Sequence, residues 1–197
     1  MSRIAKLPLD LWDPELRALI QPDKTSALEQ GQMRIMAHAP EIAKRVAALG
    51  GAFMEHRTLP RRLMEMVRLR IAFHNQCRSC MSVRYSSAID DGLTESVVCS
   101  LEQPFEAPDL SDAERAAVRY ADLSASNHLA IDEETFDELR RYYSEAQIVE
   151  LGMWVAFCVG FGRLLAAWHV VEDLPERTRA KNARFAPWTL EPIVLPG

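Results

Sequence analysis

Apolar residues along this chain repeatedly fall three and four apart, and strict apolar/polar alternation with β-branched enrichment is hard to find. Ile42, Val46, Leu49 and Phe53 make one such stripe, and Leu63, Val67 and Ile71 make another. That period belongs to a helix, since a half-buried strand repeats every second residue. Proline placement agrees. No proline lies between Pro60 and Pro104 or between Pro108 and Pro175, which leaves both intervals open to long helices. The pattern predicts an all-α chain.

Local punctuation sets the boundaries. Asp13-Pro14-Glu15 supplies a cap, a first-turn proline and an acid for a short helix to about Ile20. A second helix is expected from about Ser26 to Ala37, a third opening at Pro40 and a fourth opening at Pro60, the last carrying Glu65. A fifth is predicted over 78–91, stopped by Gly92 in a left-handed cap. Thr94 caps a short sixth. Residues 103–110 read as a loop, Ser111 and Glu114 as a capping box, Asp132 as the start of another helix, and Ser144 and Gln147 as a second box opening a long helix to about Val171. One helical domain is expected over residues 1–175, with an N-terminal helical extension, and residues 176–197 are expected to form an extended arm over the body or a neighbour.

The run from Leu151 to Gly162 holds twelve uncharged residues and is closed by Arg163. A bilayer needs roughly 20, so no membrane span is expected and the run reads as a helix buried all round. Gly152, Ala156 and Gly160 recur every four residues, a spacing that lets another helix approach closely. The apolar excess predicts that a second subunit covers part of this helix, making a homo-oligomer. About half of the 197 residues are hydrophobic and the net charge is −5. That balance is ordinary for a globular domain and lacks the basic footprint of a nucleic-acid partner. The start, Met1 to Pro8, shows no apolar core of signal-peptide length, so the cytoplasm is expected, with its four cysteines reduced.

Two of those cysteines stand three apart in Glu65-Met-Val-Arg-Leu-Arg-Ile-Ala-Phe-His-Asn-Gln-Cys77-Arg-Ser-Cys80. At the first turn of a helix Cys77 would meet the positive end of the dipole, which favours thiolate. Cys80 is close enough to join it in a disulfide, and Arg84, four residues on, would stabilise an anion there. The bland reading is two small buried residues on a helix. A zinc reading adds His74 but supplies three ligands where a structural site wants four. Glu65 on its own is a helix acid within reach of Arg61, Arg62 and Arg68. A redox-active dithiol is the reading this context favours.

The spacing of Glu65, Cys77 and Cys80 resembles the alkylhydroperoxidase D (AhpD)-like branch of the carboxymuconolactone decarboxylase family. Ala39-Pro-Glu-Ile, Leu59-Pro-Arg-Arg-Leu-Met-Glu65, Leu110-Ser-Asp-Ala-Glu and Tyr143-Ser-Glu-Ala-Gln-Ile-Val are similar to the family's helix entries. The resemblance implies an all-α, AhpD-like, oligomeric helical bundle with a peroxide-reducing dithiol. It makes Cys80 the sulfur that is oxidised, Cys77 the one that closes the disulfide, and Glu65 part of a proton relay. Where the family commonly has histidine four residues after the second cysteine, this chain has Arg84, and Ser79 stands between the cysteines. A guanidinium stabilises a thiolate but shuttles no proton. Glu65 is then open to pairing with Arg84, and His74 is open to serving as the base.

The expected activity is a thiol-dependent peroxidase with no metal, haem or flavin, taking a hydroperoxide as substrate and an external dithiol or disulfide reductase as partner. A lyase acting on a small lactone acid and a non-enzymatic redox sensor are the alternatives.

Overall fold

The computed structural model describes residues 1–180 and 183–196. Among the described residues ten α-helices follow in order: α1 Pro14–Ile20, α2 Ala27–Met36, α3 Pro40–Glu55, α4 Arg61–Asn75, α5 Arg78–Ser82, α6 Ser86–Asp90, α7 Glu95–Ser100, α8 Asp112–Ser126, α9 Glu133–Arg140 and α10 Glu145–Trp168. The all-α expectation holds. Two three-residue strands, β1 Val83–Tyr85 and β2 Ile193–Leu195, pair in parallel with Val83 opposite Ile193.

Most boundaries lie where local chemistry puts them. The Asp13 side chain accepts from Leu16 N ahead of Pro14, and capping boxes close on Ser26/Glu29 and Ser111/Glu114. Ser144 and Gln147 exchange the same reciprocal bonds at the start of α10. Gly92 sits at φ +90, where only glycine is unstrained. The helix predicted over 78–91 is the exception. It stops at Ser82, turns extended through β1, and restarts as α6. Arg84 therefore does not stand one helical turn beyond Cys80.

Contacts divide the chain into two units. One takes residues 1–57 and 167–180. Its core gathers Trp12, Leu16, Met33, Ala37 and Ala43, and Lys6 bridges to Glu172 and Asp173. The other takes Thr58–Ala166 and the C-terminal segment. Its core gathers Met66, Leu69, Val98, Leu101 and Val118 among others. Within it α4 is buried along most of its length and lies chiefly against α8. Arg62 pairs with Glu114 (2.7 Å) and Arg70 with Asp122 (2.7 Å) across that contact. Glu150 of α10 accepts from the backbone N–H groups of Thr58 and Leu59, fixing the entry to α4.

α10 has 24 residues and is long and apolar enough to cross a bilayer by length and composition. Here Ile148, Leu151, Trp154, Val155, Cys158, Gly162 and Leu165 are buried. Trp154 donates to the Met64 carbonyl at 2.9 Å. The expected all-round burial is not met, because Val149 and Met153 are 59% and 53% exposed and Ala156 and Gly160 lie on the same open side.

Gly162 holds α10 against the end of α4. A Cβ there would come within 2.5 Å of the Asn75 amide nitrogen. That amide donates to the carbonyls of Cys158 (3.1 Å) and Val159 (3.3 Å). Gly162→Ala gains about 1 kcal/mol of helix propensity. It displaces an amide making two bonds of about 1 kcal/mol each and adds overpacking of roughly 1–3 kcal/mol. The expected result is a net loss of about 2–4 kcal/mol in denaturant unfolding, and a more stable variant would show that Asn75 yields freely.

Candidate active site

The dithiol is built at the end of α4. Gln76 closes that helix in a left-handed conformation, φ 51, which is unusual for a non-glycine residue. Its side-chain Nε2 holds the turn by donating to the Phe73 carbonyl at 2.7 Å. Cys77 follows as the residue capping the five-residue α5, its N–H on the Ala72 carbonyl (3.1 Å). Cys77 and Cys80 are joined in a disulfide, with their Cα atoms 5.3 Å apart. Cys77 is 1% exposed, whereas Cys80 is only partly buried. The Ser79 hydroxyl lies 3.6 Å from the Cys77 sulfur.

Beneath the pair runs a buried ion pair. Glu65 and Arg68 are 4% and 9% exposed. Arg68 grips the carboxylate at both oxygens, Nε to Oε2 and Nη2 to Oε1, each at 2.6 Å. The same guanidinium donates to the Cys80 carbonyl (2.6 Å) and the Val83 carbonyl (2.9 Å), and it lies 5.3 Å from the Tyr85 ring centroid. Burial alone would lower the basicity of Arg68, but the Glu65 carboxylate carries it above its ordinary value. Arg68 is thus the charge that reaches the backbone of the second cysteine. Sequence reasoning treats it only as a partner for Glu65.

Arg84 is placed otherwise than expected. It is fully buried and donates to the carbonyls of Met81 (2.9 Å), Val83 (3.1 Å) and Pro187 (2.9 Å), with Glu95 as its ionic partner at 3.1 Å. Burial, incompletely offset by Glu95, holds it below its ordinary basicity. The Glu65–Arg84 pairing left open by the sequence is replaced by Glu65–Arg68.

His74 is turned to α8, its Nε2 2.8 Å from Asp122. Burial pushes the Asp122 carboxyl up, but His74 and Arg70 together hold it below the usual range. Arg163, whose neighbours the sequence leaves open, donates to Asn75 Oδ1 at 3.1 Å and to the Ala125 carbonyl. Cys158 lies close enough to Glu65 and Arg68 for their charges to act on it, and burial pushes its thiol well above the ordinary value. Nothing in its spacing marks Cys158 as a neighbour of that ion pair.

The arrangement offers a partly exposed cysteine, a shielded partner already bonded to it, and a fixed positive charge on the Cys80 carbonyl. That is the equipment for reversible two-electron thiol chemistry.

The sequence profile of the carboxymuconolactone decarboxylase family matches residues 40–123. Two uncharacterized proteins from strains of Mycobacterium tuberculosis are each 40% identical over 90 residues, which is 44% of this chain and 31% of theirs. The chain thus spans under a third of the length of those curated relatives. Among solved structures, an alkylhydroperoxidase AhpD core, an uncharacterized peroxidase-related protein from Ralstonia eutropha JMP134, has a TM-score of 0.72 at 18% identity, covering 90% of this chain and 94% of that one. The debrominase Bmp8 in complex with 2,3,4-tribromopyrrole has a TM-score of 0.73 at 22% identity, covering 90% and 96%. Identities this low establish the fold alone. The fold is AhpD-like, and residues 40–123, from the start of α3 to Leu123 in α8, are similar to the carboxymuconolactone decarboxylase family.

Proposed function

We propose that this protein is a thiol-dependent peroxidase that reduces hydroperoxides through Cys77 and Cys80. The observation that carries the reading is the asymmetry of the joined pair, with Cys77 shielded and Cys80 reachable. A Cys80 thiolate attacks the terminal oxygen of the hydroperoxide. An S–O bond forms, the O–O bond breaks, and the proton released by Cys80 passes to the departing alkoxide. The Cys77 thiol then condenses with the sulfenic acid, releasing water and leaving the disulfide. An external dithiol returns two electrons by exchange, in a thiol-reducing compartment such as the cytoplasm.

In this reading Arg68, held by Glu65, fixes the Cys80 carbonyl and lends positive charge to the anion. Glu65 is a positioning residue, Arg84 is an anchor of the C-terminal segment, and His74 is occupied by Asp122. The test is a thiol titration of reduced protein before and after one equivalent of hydroperoxide. Loss of two thiols per chain as a Cys77–Cys80 disulfide is expected. Unchanged thiols would end the peroxidase reading.

The likeness to a debrominase favours a second reading on the same sulfurs, reductive removal of halide from a halogenated aromatic ring. Two thiols and an aryl bromide would give the disulfide, the reduced arene, bromide and a proton. Bromide released in step with thiol loss, with hydroperoxide inert, would select it.

The open face of α10, with Val149, Met153, Ala156 and Gly160, is proposed to pack on a second copy of the chain. Met153→Lys is expected to shift sedimentation toward the monomer while leaving the melting of the isolated chain within about 0.5 kcal/mol of the original. An unchanged assembly would move the contact elsewhere.

A further inference from the structure

The C-terminal segment returns to the dithiol and grips the chain on both sides of Cys77. The Gln76 side chain and the Phe185 backbone exchange two hydrogen bonds, Phe185 N to Oε1 at 3.2 Å and Nε2 to the Phe185 carbonyl at 3.1 Å. Arg78 lies over the Phe185 ring at 5.2 Å and reaches the Ala183 carbonyl at 3.5 Å. Beyond Cys80 the same segment is held by Arg84 on the Pro187 carbonyl and by the ladder of β2 on β1. Trp188 closes it onto Phe73, with ring centroids 4.8 Å apart. The residues immediately before and after Cys77 are therefore both tied to this segment, and Cys77 is the sulfur withdrawn from solvent.

We propose that residues 183–195 form a strap that screens Cys77, so that thiol exchange enters at Cys80. This rests on the dithiol reading above. A thiol attacking a disulfide must approach the sulfur it will join, and the other sulfur departs with the electron pair. With the strap seated, the reductant thiolate bonds to Cys80. The Cys77–Cys80 bond breaks, and Cys77 leaves as thiolate and takes up a proton. The reductant's second thiol then attacks its own sulfur in the mixed disulfide, releasing Cys80. Opening the strap exposes Cys77 and removes that direction. Its contacts with Gln76 and Arg78 are few and at most partly buried, so local opening at Phe185 comes before global unfolding.

The experiment uses full-length protein and no peroxide. In a Cys80→Ser background, alkylation of Cys77 by iodoacetamide is followed by peptide mass spectrometry, with Cys99, exposed although its Sγ lies 4.0 Å from the Trp188 carbonyl, as the reference in the parent only. Cys77 is expected to react more slowly than Cys99. Gln76→Asn with Phe185→Ala keeps a residue tolerant of the left-handed conformation but too short to reach residue 185, and should raise the Cys77 rate on the order of tenfold. Phe185→Ala alone, which leaves the end of α4 untouched, should raise it in the same direction. With both cysteines present and oxidised, glutathione should form its mixed disulfide on Cys80 in the parent and on both sulfurs in the double variant. A Cys77 rate equal to that of Cys99 in the parent, or one unmoved by either variant, overturns the strap. An inactive peroxidase would leave these results intact, and a failed strap would leave the peroxide titration intact.

Discussion

Glu65→Gln is expected to cost about 3–5 kcal/mol of unfolding free energy, because it leaves the Arg68 charge buried without its counter-ion. The carboxylate is taken by the guanidinium at both oxygens, and no solvent is at hand to replace it at 4% exposure. Arg68→Met should cost a similar amount for the mirror reason. The double replacement Glu65→Leu with Arg68→Met should cost much less than the sum, since an apolar pair of similar volume removes both desolvation penalties. Denaturant midpoints for the parent, Glu65→Leu, Arg68→Met and the double variant close the cycle, with Glu65→Gln measured beside it. Single-variant losses below about 1 kcal/mol would mean that the pair is hydrated rather than sealed. The double variant also separates stability from chemistry. It lacks the donors to the Cys80 and Val83 carbonyls, so its thiols should react with hydroperoxide more slowly although the chain stays folded.

The helices were legible because their ends are written locally. Ser111 with Glu114, Ser144 with Gln147 and Asp13 before Pro14 each satisfy orphan N–H groups from within three or four residues. The break after Ser82 is different. Val83 and Tyr85 favour extended backbone only weakly on their own, and what fixes them there is a ladder to Ile193 and Leu195 at the far end of the chain. Arg84 follows that break. In a continuous helix it would share a face with Cys80, whereas in β1 its guanidinium is consumed by Met81, Val83, Glu95 and Pro187. Helical periodicity cannot foresee a partner brought by the last residues of the fold.

The site was half legible for the same reason. Two cysteines three apart announce a possible disulfide by covalent geometry alone. Which cation serves them does not follow from spacing, because α4 is buried from Leu63 through Leu69 with no polar face. Glu65 and Arg68 can lie there only as a pair, a constraint that appears once burial is known. The contact of His74 with Asp122 likewise depends on α8 lying across the end of α4.

The two sulfurs should prove unequal in function. Cys80→Ser is expected to lower hydroperoxide consumption on the order of 10³-fold or more, the scale of losing a nucleophile. Cys77→Ser should still consume one equivalent, because the attacking thiolate survives, but then stall. Its Cys80 sulfenic acid, deprived of a neighbour, should be trapped by dimedone and found on the peptide carrying residue 80. The argument is one of access. A hydroperoxide must bring its terminal oxygen against the sulfur, and Cys77 at 1% exposure is closed to that approach while Cys80 is not. The dipole of a five-residue helix would favour the thiolate at Cys77, so acidity and access point to opposite sulfurs. Access should win, since a thiolate that cannot be reached does not react whatever its pKa. A dimedone adduct at residue 77 in Cys80→Ser, with none at residue 80 in Cys77→Ser, would reverse the order and make acidity the deciding factor.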